Sequence, residues 1–338
     1  NHPTVILQGH LDMVCEKDSC CDIDFSKDGL RLKQDGTYLF AEGTTLGGDD
    51  GIAVAYALAV LESETLAHPP LEVVFTVDEE IGMLGADAMD MSLLSGRVML
   101  NIDSEDEGIL TAGCAGGATA TITLPVKRET AGGQGWRVRV DGLTGGHSGV
   151  EIHKGRVNAN KFMGELLRKL PDVRLACVDG GAKDNAIPRS CEALLVSQTP
   201  DFAERFEAAK AACLAALPAT EPHAVITCEA AEAAQAMTAE CSAAALDLLG
   251  ELPNGVQAMS ADIEGLVQTS LNLGIVKTAQ GSVTMTFSVR SSVGAEKTAL
   301  LTRLQALAEK YGAAYGQMGE YPAWEYRKGS CLRETMVE

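Results

Sequence analysis

Four short acidic clusters, set at or beside the ends of apolar runs, constrain this chain more than any other feature. They are LQGHLDMV (residues 7–14), GGDDG (47–51), DEEIG (78–82) and NIDS (101–104). A buried strand that ends in an imidazole or a carboxylate presents that group at the carboxyl edge of its sheet, and open α/β sheets bind ligands at that edge. One His gathered with several Asp and Glu is the donor set of a divalent-metal hydrolase.

The runs over residues 4–14, 71–77 and 97–102 read as buried strands of a largely parallel sheet, because they are apolar on both faces. Residues 51–63, rich in Ala and Leu at helical spacing, predict the crossover helix between the first two. Near residue 115 the texture changes to Gly-rich sequence, then to strand-like runs at 118–124 and 136–140 and a turn at 142–149. Helical patterns at 156–170, 201–216, 238–250 and 294–311 alternate with strands near 189–196, 269–276 and 282–290. At 338 residues the chain exceeds what one core usually supports. The predicted architecture is α/β: a mixed, largely parallel sheet flanked by helices, with an inserted α+β domain. Its expected boundaries are 1–115 for the first domain, 116–321 for the insertion, and 322–338 for a returning segment that starts at Tyr321-Pro322.

Acidic residues outnumber basic ones 47 to 27, a net charge of -20, so the long-range field repels phosphate backbones and anionic lipid. Nucleic acid is thereby excluded as a partner, and no apolar run approaches the roughly 20 residues of a membrane span. The ten cysteines form no CxxC pair and no regular framework, which predicts reduced thiols and a cytoplasmic location. The sequence starts without Met or a signal pattern and stops inside a helical pattern at residues 332–338, so continuation at both ends is expected.

On a strand, residues two apart share a face, which sets Asp12 beside His10. A metal-bound imidazole needs an acceptor for its other nitrogen, so His10 is assigned as a ligand and Asp12 as the carboxylate that orients it. Asp49 and Asp50 open a helix between glycines; Asp49 is assigned to bridge two cations and Asp50 to cap the helix. Adjacent Glu79 and Glu80 cannot point one way, and a dinuclear hydrolase has work for both: one binds metal, the other moves the proton of the attacking water. Asp103 completes the shell of the first metal.

The runs GHLDMV (9–14), GTTLGGDDG (43–51), DEEIGMLGA (78–86), NIDSEDEG (101–108), AGCAGG (112–117), GLTGGHSGVEIH (142–153), NAIPR (185–189) and TSLNLG (269–274) together resemble the bacterial aminoacyl-histidine dipeptidases. These belong to the dinuclear zinc peptidase family that also holds carnosinases and aminoacylases. The resemblance covers nearly the whole chain. It implies two divalent metal ions, zinc ahead of manganese or cobalt, a small peptide substrate and a homodimer. It makes Glu79 the general base, Glu80 the ligand of the second zinc, and the inserted domain a lid whose His147 polarises the scissile carbonyl. Asn272 and Arg290, with Asn185 as a weaker candidate, are implied to hold the substrate, Arg by its bidentate fork. One departure stands out: the family's final His ligand has no counterpart here, since all six His lie at or before residue 223, so the second site is expected to be incomplete in this chain. The expected activity is metal-dependent hydrolysis of Xaa-His and related dipeptides. Against it stand an aminoacylase or carboxypeptidase of the same family, and a relative that binds metal or peptide without catalysis.

Overall fold

A computed structural model describes residues 2–104 and 107–337. Glu105 and Asp106 of the NIDSEDEG run, with Asn1 and Glu338, lie outside the described residues. The chain divides into two compact units, Asn1–Ala112 with Lys328–Glu338, and Gly113–Arg327.

In the first unit β1 (Val5–His10) is followed by a hairpin of β2 (Leu32–Asp35) and β3 (Tyr38–Ala41), helix α1 (Gly48–Glu62), β4 (Leu71–Thr76), the short α2 (Leu84–Ala88) and β5 (Val98–Asn101). The sheet order is β4-β1-β5, with both pairings parallel. As the central strand, β1 has a parallel neighbour on each edge. Ala53 and Ala57 of α1 are buried, and side chains this small let the helix lie close to the sheet. Asp49 and Asp50 at its start have non-helical backbone angles, so regular helix begins near the predicted residue 51.

The second unit starts with β6 (Gly116–Pro125), β7 (Arg128–Thr130), β8 (Gln134–Asp141), the two-residue β9 (Gly146–His147) and α3 (Ala159–Leu167). It continues through β10 (Arg174–Gly180), β11 (Ala186–Ile187), β12 (Cys191–Ser197), α4 (Phe202–Ala215), β13 (Val225–Ala230), β14 (Gln235–Met237) and α5 (Ala239–Glu251). It closes with β15 (Gly255–Met259), β16 (Val267–Thr278), β17 (Ser282–Ser291), α6 (Gly294–Lys310) and β18 (Ala314–Tyr321), after which α7 (Cys331–Val337) belongs to the first unit. The main sheet has the order β13-β8-β12-β10-β16-β17-β6-β18, with β15 on β16.

Strand β17 shows the logic of this sheet. Val283, Met285, Phe287 and Val289 are buried in a core shared with Phe162, Leu166, Phe202, Leu249 and Leu304 from the helices. The alternate residues, ending in Arg290, face the other way. Asn272 pairs with Ser288 across β16 and β17, and Ser270 with Arg290, which puts Asn272 and Arg290 on that second face.

The unit boundaries fall at 112/113 and 327/328, against expected positions of 115/116 and 321/322. Main-chain hydrogen bonds between Cys114 and Trp324, at 2.9 and 3.0 Å, tie the two ends of the second unit together. That pairing takes the residues around 114 and 324 into the insertion.

Candidate functional site

Strand β1 delivers His10 to the carboxyl edge of its sheet, where the residue is 1% exposed. A Cβ on Gly9 would lie 2.6 Å from Ala53 Cβ and 2.7 Å from Asp50 Oδ2, so only glycine lets the start of α1 approach the strand here. His10 Nδ1–H donates to the main-chain oxygen of Asp12 at 2.9 Å. Its Nε2 then faces Asp49 Oδ1 at 2.9 Å and Asp103 Oδ1 at 3.9 Å. An ionised carboxylate only accepts, so a bare ring nitrogen opposite it is repelled. The position calls for positive charge: a proton on the ring, or a metal ion shared by nitrogen and oxygens. Burial pulls the His10 pKa down, but the Asp49 hydrogen bond, the Asp12 carbonyl and the Asp103 and Asp49 charges outweigh it and hold it above 6.5.

Asp12 orients the imidazole, but not with the group assigned to it from sequence. Its carboxylate oxygen is 3.5 Å from Nδ1, whereas its carbonyl makes the hydrogen bond. The carboxylate instead accepts from the Glu80 N–H at 3.1 Å. Burial pushes the Asp12 carboxyl up, and the backbone N–H groups of Glu79 and Glu80 pull it below its ordinary value. Asp12 therefore ties the end of β1 to the turn after β4.

That turn is tight: Glu79 O accepts from Gly82 N and Met83 N, both at 2.9 Å. Ligand atoms of His10, Asp49 and Glu80 lie within 4.8 Å of one another, and so do those of His10, Asp50 and Asp103. Glu79 falls outside both groups among the described residues. Burial raises its pKa, with the Glu80, Asp49 and Asp12 charges adding and His10 opposing. Asp103 is pushed up to about 7, by burial first, then by its hydrogen bond to Asp49 and the Asp49 and Asp50 charges. The sequence pattern assigns Asp50 to capping alone. It is 1% exposed, turned toward the N–H groups of His10 and Ala53, and neither carboxylate oxygen has a partner at hydrogen-bond distance. Its presence in the second donor group was legible only as its adjacency to Asp49. Crowded carboxylates around one His, with protons held more firmly than usual, fit a divalent cation by chemistry and by unpaired oxygens.

The second unit assembles its own set. His147 in β9 pairs with Ala186 in β11, and Ser148 N–H donates to Asn185 O at 2.8 Å. The exposed His147 ring has a fixed tautomer: Nδ1 accepts from Gly149 N at 3.1 Å and Val150 N at 3.3 Å, so Nε2 carries the hydrogen. A Cβ on Gly149 would lie 2.9 Å from His147 Cε1 and 3.4 Å from Arg290 Cζ, which makes ring and guanidinium neighbours. Arg290 Nε is buried and has no hydrogen-bond partner. Asn185 is half-buried and held through its carbonyl. Asn272, 1% exposed, is bonded inside this unit: Nδ2 donates to Asp184 O and Ala186 O at 2.8 Å each, and Oδ1 accepts from Asn158 Nδ2 at 3.1 Å. That bonding makes it a support for the 184–187 segment, where the sequence reading had it touching substrate. Of the other histidines, His2, His68, His153 and His223 are exposed.

The chain matches the profile of peptidase family M20/M25/M40 over residues 6–325. It is 37% identical over 343 residues to the cytosol non-specific dipeptidase of Escherichia coli (strain K12), covering 96% of this chain and 69% of that protein. It is 29% identical over 147 residues to the uncharacterized protein YqjE of Bacillus subtilis (strain 168), covering 42% and 35%. The crystal structure of aminoacylhistidine dipeptidase from Vibrio alginolyticus superposes with a TM-score of 0.88 at 37% identity, covering 98% of this chain and 70% of that one.

Proposed function

The chain belongs to peptidase family M20/M25/M40, and from that membership we propose that it hydrolyses the peptide bond of dipeptides in a metal-dependent reaction, with Xaa-His dipeptides among its substrates. The observation that carries the mechanism is the parting of two neighbouring carboxylates. Glu80 joins His10 and Asp49 in a donor group, while Glu79 stays outside it with a raised pKa.

His10, Asp49, Asp50, Glu80 and Asp103 would hold the metal, which we propose to be two zinc ions, the second incompletely held by this chain since both donor groups share His10, with manganese or cobalt as substitutes. Bound there, the metal would polarise the scissile carbonyl and make the attacking water more acidic. Glu79 takes a proton from that water as its oxygen adds to the carbonyl carbon, and returns it to the amine nitrogen as the C–N bond breaks. A carboxylate of raised pKa holds that proton better than an ordinary Glu. His147, with its Nε2–H tautomer, is the donor for the carbonyl oxygen as negative charge develops. The neighbouring Arg290 pairs with the substrate carboxylate; its buried, unpartnered Nε supports this role. Asn185 contributes by presenting the strand partner of His147. The ten free cysteines and the cytosolic relative support a cytoplasmic location. Among the described residues no helix is long and apolar enough to cross a membrane.

The test is hydrolysis of alanyl-histidine by protein stripped of metal and reloaded with zinc. Activity that returns with metal supports the reading. Turnover of acylated amino acids but not dipeptides, at full zinc loading, replaces it with an aminoacylase.

A further inference from the structure

The hydrogen bonds that fix the His147 tautomer come from the turn that follows it, and that turn is held by a side chain with no role in the chemistry above. The Glu151 carboxylate accepts the main-chain N–H of His147 through Oε2 at 3.0 Å, and Glu151 N–H donates back to His147 O at 2.9 Å. Residue 147 is thus gripped at both main-chain groups by residue 151. The other carboxylate oxygen, Oε1, accepts from Arg156 Nη2 at 2.9 Å and Lys154 Nζ at 3.0 Å. Arg156 in turn donates through Nη1 to the carbonyl of Gly145. Its side chain is 17% exposed, and that of Glu151 26%, so this pair is shielded well beyond an ordinary surface ion pair.

The sequence is built around this grip. Gly146 has φ +144°, a conformation closed to other residues, and a Cβ there would collide with Arg156 Nη1 and Glu151 Oε2. The glycine immediately before His147 is therefore the space that the Glu151–Arg156 pair occupies. The Glu151 carboxyl is held down to about 2 by Lys154, by the His147 N–H and by Arg156, so it remains an acceptor throughout the working range of a peptidase. At the base of the loop, Glu221, 5% exposed, accepts from Thr144 N at 2.7 Å and Val157 N at 2.9 Å. The segment is thus closed where it leaves the sheet, and Glu151 sets its tip.

We propose that Glu151, braced by Arg156, is a positioning residue for His147: it fixes the turn whose Gly149 and Val150 N–H groups hold Nδ1, and so commits the ring to presenting Nε2–H. This rests on the reading of His147 as the donor to the scissile carbonyl, but its physical content is a tautomer that can be observed without substrate.

The test compares Glu151→Ala, Glu151→Gln and Arg156→Lys with wild type in the full chain, using nitrogen-15 NMR of the His147 ring and steady-state hydrolysis of alanyl-histidine at saturating zinc. Wild type should show a single Nε2–H tautomer. Glu151→Ala should mix the tautomers and lower kcat about 10- to 100-fold, with KM changed less than about threefold, the size expected when a donor loses alignment. Gln keeps an acceptor for the His147 N–H, and Lys keeps the charge but cannot reach both Glu151 and Gly145. Both should recover part of kcat and most of the tautomer preference. If Glu151→Ala melts early, those two variants carry the same readouts in a milder form. An unchanged tautomer and a kcat within about twofold of wild type in all three overturn the proposal. If His147→Ala keeps wild-type kcat, the donor reading of His147 fails instead, and the NMR result still decides whether Glu151 sets the ring.

Discussion

Replacing Asn272 by Asp separates a supporting role from a substrate-binding one. The change is nearly isosteric, keeps the oxygen that accepts from Asn158, and removes both N–H donors. What remains is a carboxylate oxygen against Asp184 O and Ala186 O, where the amide nitrogen sits 2.8 Å from each. Two partly buried acceptors lose their partners, at about 1–3 kcal/mol each, giving roughly 4 kcal/mol in all. For a unit of this size that is a fall in melting temperature of roughly 8–16 °C. Protonation of the new carboxyl would return one donor, so the loss should shrink at acid pH. Scanning calorimetry from pH 5 to 8 measures it. The kcat should fall in parallel, because the freed segment carries the strand partner of His147. A variant that melts with wild type and differs only in KM would refute this reasoning and return Asn272 to the substrate.

Further outcomes follow from the same geometry. Glu79→Gln should bind zinc as wild type does, by calorimetric titration, and lose about 10²–10⁴ in kcat, since an amide cannot carry the proton. Zinc at about 100 times its dissociation constant should stabilise the protein against urea by about 2.7 kcal/mol, a gain abolished by chelation and by His10→Ala. Lys161 is half-buried under the end of α5, donating to Leu249 O, Gly250 O and Leu252 O, and desolvation lowers its pKa to about 8. The unfolded chain, at 10.5, then binds more protons than the folded one between pH 8 and 10.5, so stability rises across that window. Relative to Lys161→Met, wild type should gain up to about 3 kcal/mol over this range in urea unfolding. A flat difference would count against the burial of its charge.

The parts of this molecule that could be read from sequence are those where one physical cause dominates. Strands β1, β4 and β5 read as largely apolar runs that pair in parallel, and the acidic groups after them mark the edge of the sheet. Strand β18 was missed because nearly all of it is exposed at the end of its sheet, leaving no alternation to detect. Helix α3 was expected from residue 156 but begins at 159: Asn158 caps it, and Arg156 and Val157 are held by Glu151 and Glu221. Within the candidate site, residue types were legible and their bonding was not. That Asp12 serves His10 with its carbonyl, or that Asn272 answers to Asn158 at a separation of 114 residues, depends on tertiary geometry that no local pattern encodes.

The paired hydrogen bonds between Cys114 and Trp324 have a consequence for how such a protein can be altered. An insertion whose entry and exit meet at one point demands little from its host beyond two adjacent attachment sites. It can be exchanged for a relative's, or removed and bridged by a short linker, without respacing β5 before it or α7 after it. Recombination at this neck is then the event expected to disturb the two units least.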